Sequence, residues 1–285
     1  MRLSALLAAL LLVSTAQAAP PASWTLTGLD QPQSAVYASQ QKLIYVANVD
    51  GELLGKDGKG YLSQVSPEGR LLKKRWLGGL NAPKGLGYYY GLLYVADLDE
   101  LLEIDTGNGR VKRRFKASGT RSLSDVAVAS NGVVYVSDAQ GNAIWRLSGD
   151  SFSQIVKNAD LQTPHGLVLD KGQLVVASWG REAQGETPAE QSWLQAVDLD
   201  SRAVQPRFAP IPFGNLDGLA ADGKGGYYVS DFALGNLFHV AADGEVRLWL
   251  PLEQGIADLA ILPGKGLLVP NLSAGTLSLY PLDKP

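Results

Sequence analysis

The chain contains no cysteine, and its only methionine is Met1. No disulfide framework, thiolate metal site or redox dithiol can therefore form. The fold must be held by core burial, which 285 residues can supply. Long apolar runs are also missing. Leu3 to Val13, interrupted by Ser4, is too short for a comfortable membrane span, and no later segment approaches that length. A basic field is absent too: the formal net charge is -3, which argues against nucleic acid or anionic lipid as a partner. The local clusters Lys73-Lys74-Arg75 and Lys112 with Arg113-Arg114 fall where outer strands are expected, and there they discourage edge pairing. Hydrolase signatures are missing, with no Gly-x-Ser-x-Gly and no His-Glu-x-x-His. Gly51 to Lys56 lacks the spacing of a phosphate loop, and Asp97-Leu98-Asp99 lacks the glycine of a calcium loop.

What is present begins with an export signature. Arg2, the apolar run and Ala16-Gln17-Ala18 form a basic, apolar and small-x-small series. Residues 1–18 are expected to be a cleaved signal peptide, and 19–285 a single domain in the periplasm or outside the cell. With no cysteine, a bacterial periplasm is the better match.

The dominant feature is a repeat. Tyr45-Val46-Ala47-Asn48 returns as Tyr94-Val95-Ala96-Asp97, Tyr135-Val136-Ser137-Asp138, Val175-Val176-Ala177-Ser178, Tyr228-Val229-Ser230-Asp231 and Leu268-Val269-Pro270-Asn271. Six copies at a spacing of roughly forty to fifty residues match one four-stranded blade each. Short β-rich runs between Asp-Gly turns give the meander, most clearly from Asp217 to Leu250. The expectation is an all-β, six-bladed β-propeller. Its last copy is one strand short, and Trp24 to Gly28 is expected to supply the missing outer strand. Copies 1 and 4 carry insertions, Asp50 to Gly60 and Trp179 to Gln191, between their second and third strands. Such loops are often functional.

Propeller topology brings two positions of each copy to one end of the channel. The residues opening the inner strands are read as Ser34, Lys84, Ser124, His165, Asp217 and Ala257. The second strands end at Asn48, Asp97, Asp138, Ser178, Asp231 and Asn271. Together they form a polar ring suited to a concave site. The recurring Asp or Asn of the second set also has a structural alternative, because it can bond the backbone of the next turn. Asp217 and His165 occur once each at their repeat position, so the fold does not require them. Lys84 has a bland role available as a counter-charge for the carboxylates. His239, in mid-strand, reads as a packed or surface residue.

Leu216-Asp217-Gly218-Leu219 resembles the Pro-Asp-Gly element of the gluconolactonase, senescence marker protein and luciferin-regenerating enzyme group. That group is kin to NHL-repeat and strictosidine-synthase-like propellers. Its Asp binds a catalytic divalent metal and serves as acid and base. Thr163-Pro164-His165-Gly166-Leu167 is similar to the Pro-Asn-Gly element, whose Asn is a second ligand. Ser124-Asp125 falls where a substrate-binding Asn-Asp pair is expected, and Gln33-Ser34-Ala35-Val36 takes the place of Glu-Gly-Pro. On this reading Ser34 replaces the metal-binding Glu, and His165 replaces the Asn.

Two functions follow as expectations. In the first, the channel mouth binds a small ligand or a protein partner through Ser34, Lys84, Ser124, Asp125, Asn48, Asp97, Asp138 and Asp231. In the second, Asp217 and His165 are catalytic and hold one divalent ion for a lactonase or esterase. Calcium follows from the resemblance, whereas His165 would suit zinc or manganese. A monomer is expected.

Overall fold

The computed structural model describes residues 20–120, 122–181 and 190–282. The expected signal peptide lies outside these residues, as does the middle of the insertion in copy 4. Among them, chain segments of strand character assemble into six four-stranded antiparallel sheets. The one helical turn is Ala159–Leu161. This is the six-bladed β-propeller expected from the repeat.

Five blades are made of consecutive strands. Blade 1 uses Pro32–Ala38, Leu43–Asn48, Gly60–Val65 and Leu71–Leu80. Blade 2 starts with Pro83–Tyr89 and Leu92–Asp97, and blade 3 with Leu123–Val128 and Val134–Asp138. Blade 4 starts with Pro164–Asp170 and Gln173–Ser178, and blade 5 with Leu216–Ala221 and Tyr227–Asp231. Blade 6 holds Ala260–Leu262, Gly266–Asn271 and Thr276–Tyr280. Its fourth strand is Trp24–Leu26, paired with Thr276–Tyr280 from Trp24–Leu279 to Leu26–Leu277. The expected closure is therefore observed.

The repeated Tyr-Val-small-Asp element forms the second strand because that strand is buried on both sides. Val134 and Val136 pack toward blade 2 beside Tyr94 and Ala96, whereas Tyr135 packs toward blade 4 beside Leu167 and Val176. Each seam between blades is thus a small core, and each large side chain fully buried there contributes roughly 1.5–3 kcal/mol.

One irregularity positions the site. Inner strands 1 to 5 shift register by one residue just after their first pair, at Pro32/Ser34, Pro83/Leu86, Leu123/Val126, Pro164/Leu167 and Leu216/Leu219. In blade 6 the isolated Ile256–Asn271 bridge precedes Ala260–Leu262, with the same excess of one residue on the inner strand. A bulge re-aims side chains where it sits. In blades 2 to 5 two consecutive residues are freed from ladder pairing at the channel mouth; in blade 1 Gln33 alone is freed, Ser34 pairing with Ala47, and in blade 6 Ala257, Asp258 and Leu259 are.

Candidate channel-mouth site

Counting from the residue paired with each second-strand end fixes the equivalences. The first bulge residue is Gln33, Lys84, Ser124, His165, Asp217 or Ala257. The second is Ser34, Gly85, Asp125, Gly166, Gly218 or Asp258. Gln33, not Ser34, is therefore the true counterpart of Lys84 and Asp217. Ser34 was misassigned because a bulge shifts the count by one and leaves no mark in a single copy.

The second bulge position lies against the next blade. A Cβ on Gly85 would stand 2.3 Å from the Asp125 Cα, one on Gly166 2.5 Å from the Asp217 carbonyl oxygen, and one on Gly218 2.5 Å from the Ala257 carbonyl oxygen. Glycine is needed there for close approach of backbones. Blades 3 and 6 place aspartate instead, and these blades face one another across the ring. Asp125 and Asp258 lie close enough there for their charges to act on one another. Asp125 accepts from the N–H of Val126 (2.6 Å) and Leu167 (2.7 Å), and Asp258 from Leu259 N–H (2.7 Å) and Ser34 Oγ (2.7 Å). Burial drives both carboxyls above the usual range, and their mutual charge adds to the rise in Asp258. Asp258 was missed in the sequence, although it occupies the same repeat position as Asp125.

The first bulge position faces the channel. Ser124 Oγ lies 3.2 Å from His165 Nδ1, and that same nitrogen is 3.5 Å from Asp217 Oδ2. Lys84 is buried, and its Nζ makes one long bond of 3.4 Å to Ser122 Oγ. Burial lowers Lys84 to about 8, against the pull of Asp217, Asp97 and Asp138. Burial raises Asp217 to about 7; the Asp125 charge adds to this and Lys84 offsets it. Burial, then the Lys84 charge, lowers His165 to about 3. Proximity to Asp217 favours imidazolium, but a carboxyl half-protonated near neutral pH is a weak counter-charge. His165 is therefore neutral. Ser124 and Asp217 address the same ring nitrogen, so they do not form a serine relay, which uses opposite nitrogens.

The second-strand ends behave differently. Asp97 accepts from the N–H of Asn81 (3.0 Å) and Ala82 (2.7 Å), and burial raises its carboxyl. Asp138 accepts from Thr120 Oγ1 (2.5 Å), Gly141 N–H (2.9 Å) and Trp145 Nε1 (3.3 Å). Asp231 takes the N–H groups of Asn215, Ala233 and Leu234. Asn48 donates to the Val46 carbonyl (3.1 Å) and to Ser63 Oγ (3.0 Å). These four side chains are bound mainly to backbone and side-chain groups of their own turns and strands. The ring read from the sequence is thus two rings, with Lys84, Ser124, His165 and Asp217 in the inner one. His239 is a partly exposed strand residue paired with Asp222 Oδ2 at 2.9 Å.

Two aromatic residues complete the mouth. The residue after each second-strand end is Val49, Leu98, Ala139, Trp179, Phe232 or Leu272. Only blades 4 and 5 place aromatics there. The Trp179 ring is centred 5.9 Å from His165 and 5.6 Å from Phe232.

A divalent metal fits these residues poorly. Among the described residues no three His, Asp or Glu side chains converge on one point. His165 and Asp217 supply two donors, Gln33 replaces the acidic third, and the Lys84 ammonium opposes a cation. Asp125 and Asp258 spend their oxygens on backbone N–H groups and on Ser34.

No family model and no curated protein matches the chain. Solved structures do. A gluconolactonase from Xanthomonas campestris superimposes with TM-score 0.64 at 14% identity, over 94% of this chain and 99% of that one. A virginiamycin B lyase from Staphylococcus aureus gives 0.59 at 11% identity, over 91% and 98%. A streptogramin B lyase gives 0.62 at 10%, over 91% and 97%. At these identities the likeness establishes the propeller fold alone. The gluconolactonase-like resemblance is therefore met at the level of architecture.

Proposed function

We propose that the channel mouth binds a small polar molecule and that the protein is an exported monomeric binding propeller. One observation carries this reading. Lys84, Ser124, His165 and Asp217 are unlike one another, each differs from its five repeat counterparts, and they gather on the inner ring where the fold needs none of them. Residues that maintain a repeat recur in it, as the Asp and Asn of the outer ring do. The buried Lys84 ammonium, holding one long bond, has donors left for a ligand. Export rests on the N-terminal signature.

A thermal-shift panel of small carboxylates, sugars, amines and lactones on residues 19–285 tests the reading. A ligand at a hundred times its dissociation constant adds about 2.7 kcal/mol if it binds only the folded state. The shift should vanish in Lys84→Met or Asp217→Asn. If no compound shifts the wild type, or if the variants respond equally, the reading is wrong.

The second reading, hydrolase or lyase chemistry, draws support from Asp217 at about 7, a group able to give or take a proton at neutral pH, whereas His165, lowered to about 3, is too weak a base to do so. Ionised Asp217 would take a proton from water as that water adds to the carbonyl carbon, and would return it to the leaving oxygen as the carbon–oxygen bond breaks. Such a reaction would run on Asp217 without a resident metal. Calcium, magnesium, manganese and zinc should accordingly leave the melting temperature unchanged. An ion-induced shift lost in Asp217→Ala would restore the metal-dependent lactonase instead. Turnover of a lactone or ester, lost in Asp217→Asn, would make the site catalytic.

A further inference from the structure

We infer that the ligand is a carboxylate carrying a flat ring, with Trp179 and Phe232 as the residues that select it; this rests on the binding reading above. The repeat supplies the first argument. After the second-strand end, blades 1 to 3 bury Val49, Leu98 and Ala139, and blade 6 has Leu272. Blades 4 and 5 alone present partly exposed aromatics, and these same adjoining blades contribute His165 and Asp217. An aromatic pair confined to the two adjoining blades that contribute His165 and Asp217 is not a requirement of the repeat, whose other four copies do without one.

Trp179 is also held in place. Its N–H donates to the Thr163 carbonyl (2.9 Å), and its own carbonyl accepts from Asn215 Nδ2 (2.8 Å). The next residue, Gly180, donates to the Gln162 carbonyl at 3.0 Å. Gly180 has φ +108, and a Cβ there would stand 1.9 Å from the Glu190 carbonyl oxygen, so no other residue fits. Three hydrogen bonds and an obligatory glycine fix the Trp179 backbone, which sets its partly exposed ring beside His165. A rigid aromatic surface binds a flat ring at low cost in ordering.

Lys84 supplies the other half of the selection. Its ammonium is more than nine-tenths buried, and among the described residues no carboxylate lies within ion-pair distance. Its charge is felt at both His165 and Asp217, so it shares their end of the channel. A ligand carboxylate would give this cation the partner the protein withholds. One end of the ligand is thus anionic, and the ring lies on the side of blades 4 and 5.

The test is calorimetric titration with 2-naphthoate, octanoate and 2-naphthamide, on wild type, Trp179→Ala, Trp179→Phe and Lys84→Met. The wild type should prefer naphthoate over octanoate and over the amide by about tenfold each. Trp179→Ala should lose the preference for the ring and keep that for the carboxylate, and Trp179→Phe should restore the former. Lys84→Met should do the reverse. Equal binding of naphthoate and octanoate overturns the ring and leaves the binding reading standing. Tighter binding of the amide overturns the carboxylate. If a sugar or amine shifts the melting temperature and naphthoate does not bind below millimolar, this inference fails while the site survives. Failure of every compound in both experiments removes both.

Discussion

The two rings at the channel mouth carry the same kinds of residue and do opposite things. Asp97 in the outer ring and Asp217 in the inner ring are both buried carboxyls raised by desolvation. Asp97 gives its oxygens to two backbone N–H groups. Asp217 has no backbone donor among the described residues and faces a histidine at 3.5 Å, a lysine charge and another carboxylate. Residue type and burial therefore do not identify a site. What distinguishes the two is whether the protein itself satisfies the group.

The largest effect that separates the rings should come from Asp97→Ala. It strands the buried Ala82 N–H and the part-buried Asn81 N–H and is expected to cost about 2–3 kcal/mol in urea denaturation, with ligand binding unchanged. A loss below half a kilocalorie would put Asp97 with the inner ring. Gly166→Ala is expected next, at about 1–3 kcal/mol, because its Cβ meets the Asp217 carbonyl oxygen; ligand affinity should fall with it. Unchanged affinity would show that the bulge does not aim Asp217.

Asp217→Asn separates the rings by pH. The folded Asp217 sits near 7, above the roughly 3.9 of an unfolded aspartate. Stability from such a raised group is fully present below the unfolded value and is lost as pH rises through the folded one. The asparagine variant should therefore gain on the wild type between pH 5 and 8. His165, lowered to about 3, acts oppositely but only below about 6.5, and it is common to both proteins. A constant difference between the two proteins would mean Asp217 stays ionised. The smallest effect belongs outside both rings. Arg247→Ala breaks an exposed pair with Glu245 and should change stability by less than about 1 kcal/mol.

The blades were legible because each repeats one element, and the closing strand was legible because the last copy ran out. The bulges were not. They arise from register, which a single copy does not display, so Ser34 was set in the place of Gln33. Asp258 was overlooked behind Ala257. Aligning Ser124-Asp125-Val126 with Ala257-Asp258-Leu259 would have found it, because both departures fall where three other blades need glycine. Trp179 and Phe232 were legible as well, had the residue after each second strand been compared across copies. The division into two rings needed hydrogen-bond geometry. Recurrence offered the backbone role to Asp97 and set Asp217 apart, and the hydrogen bonds to Asn81 and Ala82 decide it for Asp97.

The central claim is that the inner ring binds ligand and the outer ring holds the fold. The most direct measurement is calorimetry of the strongest ligand in the thermal panel, on wild type, Lys84→Met and Asp97→Ala, all below their melting temperatures. The account predicts at least tenfold weaker binding for Lys84→Met and wild-type affinity for the less stable Asp97→Ala. Wild-type affinity in Lys84→Met, with binding lost in folded Asp97→Ala, would contradict it.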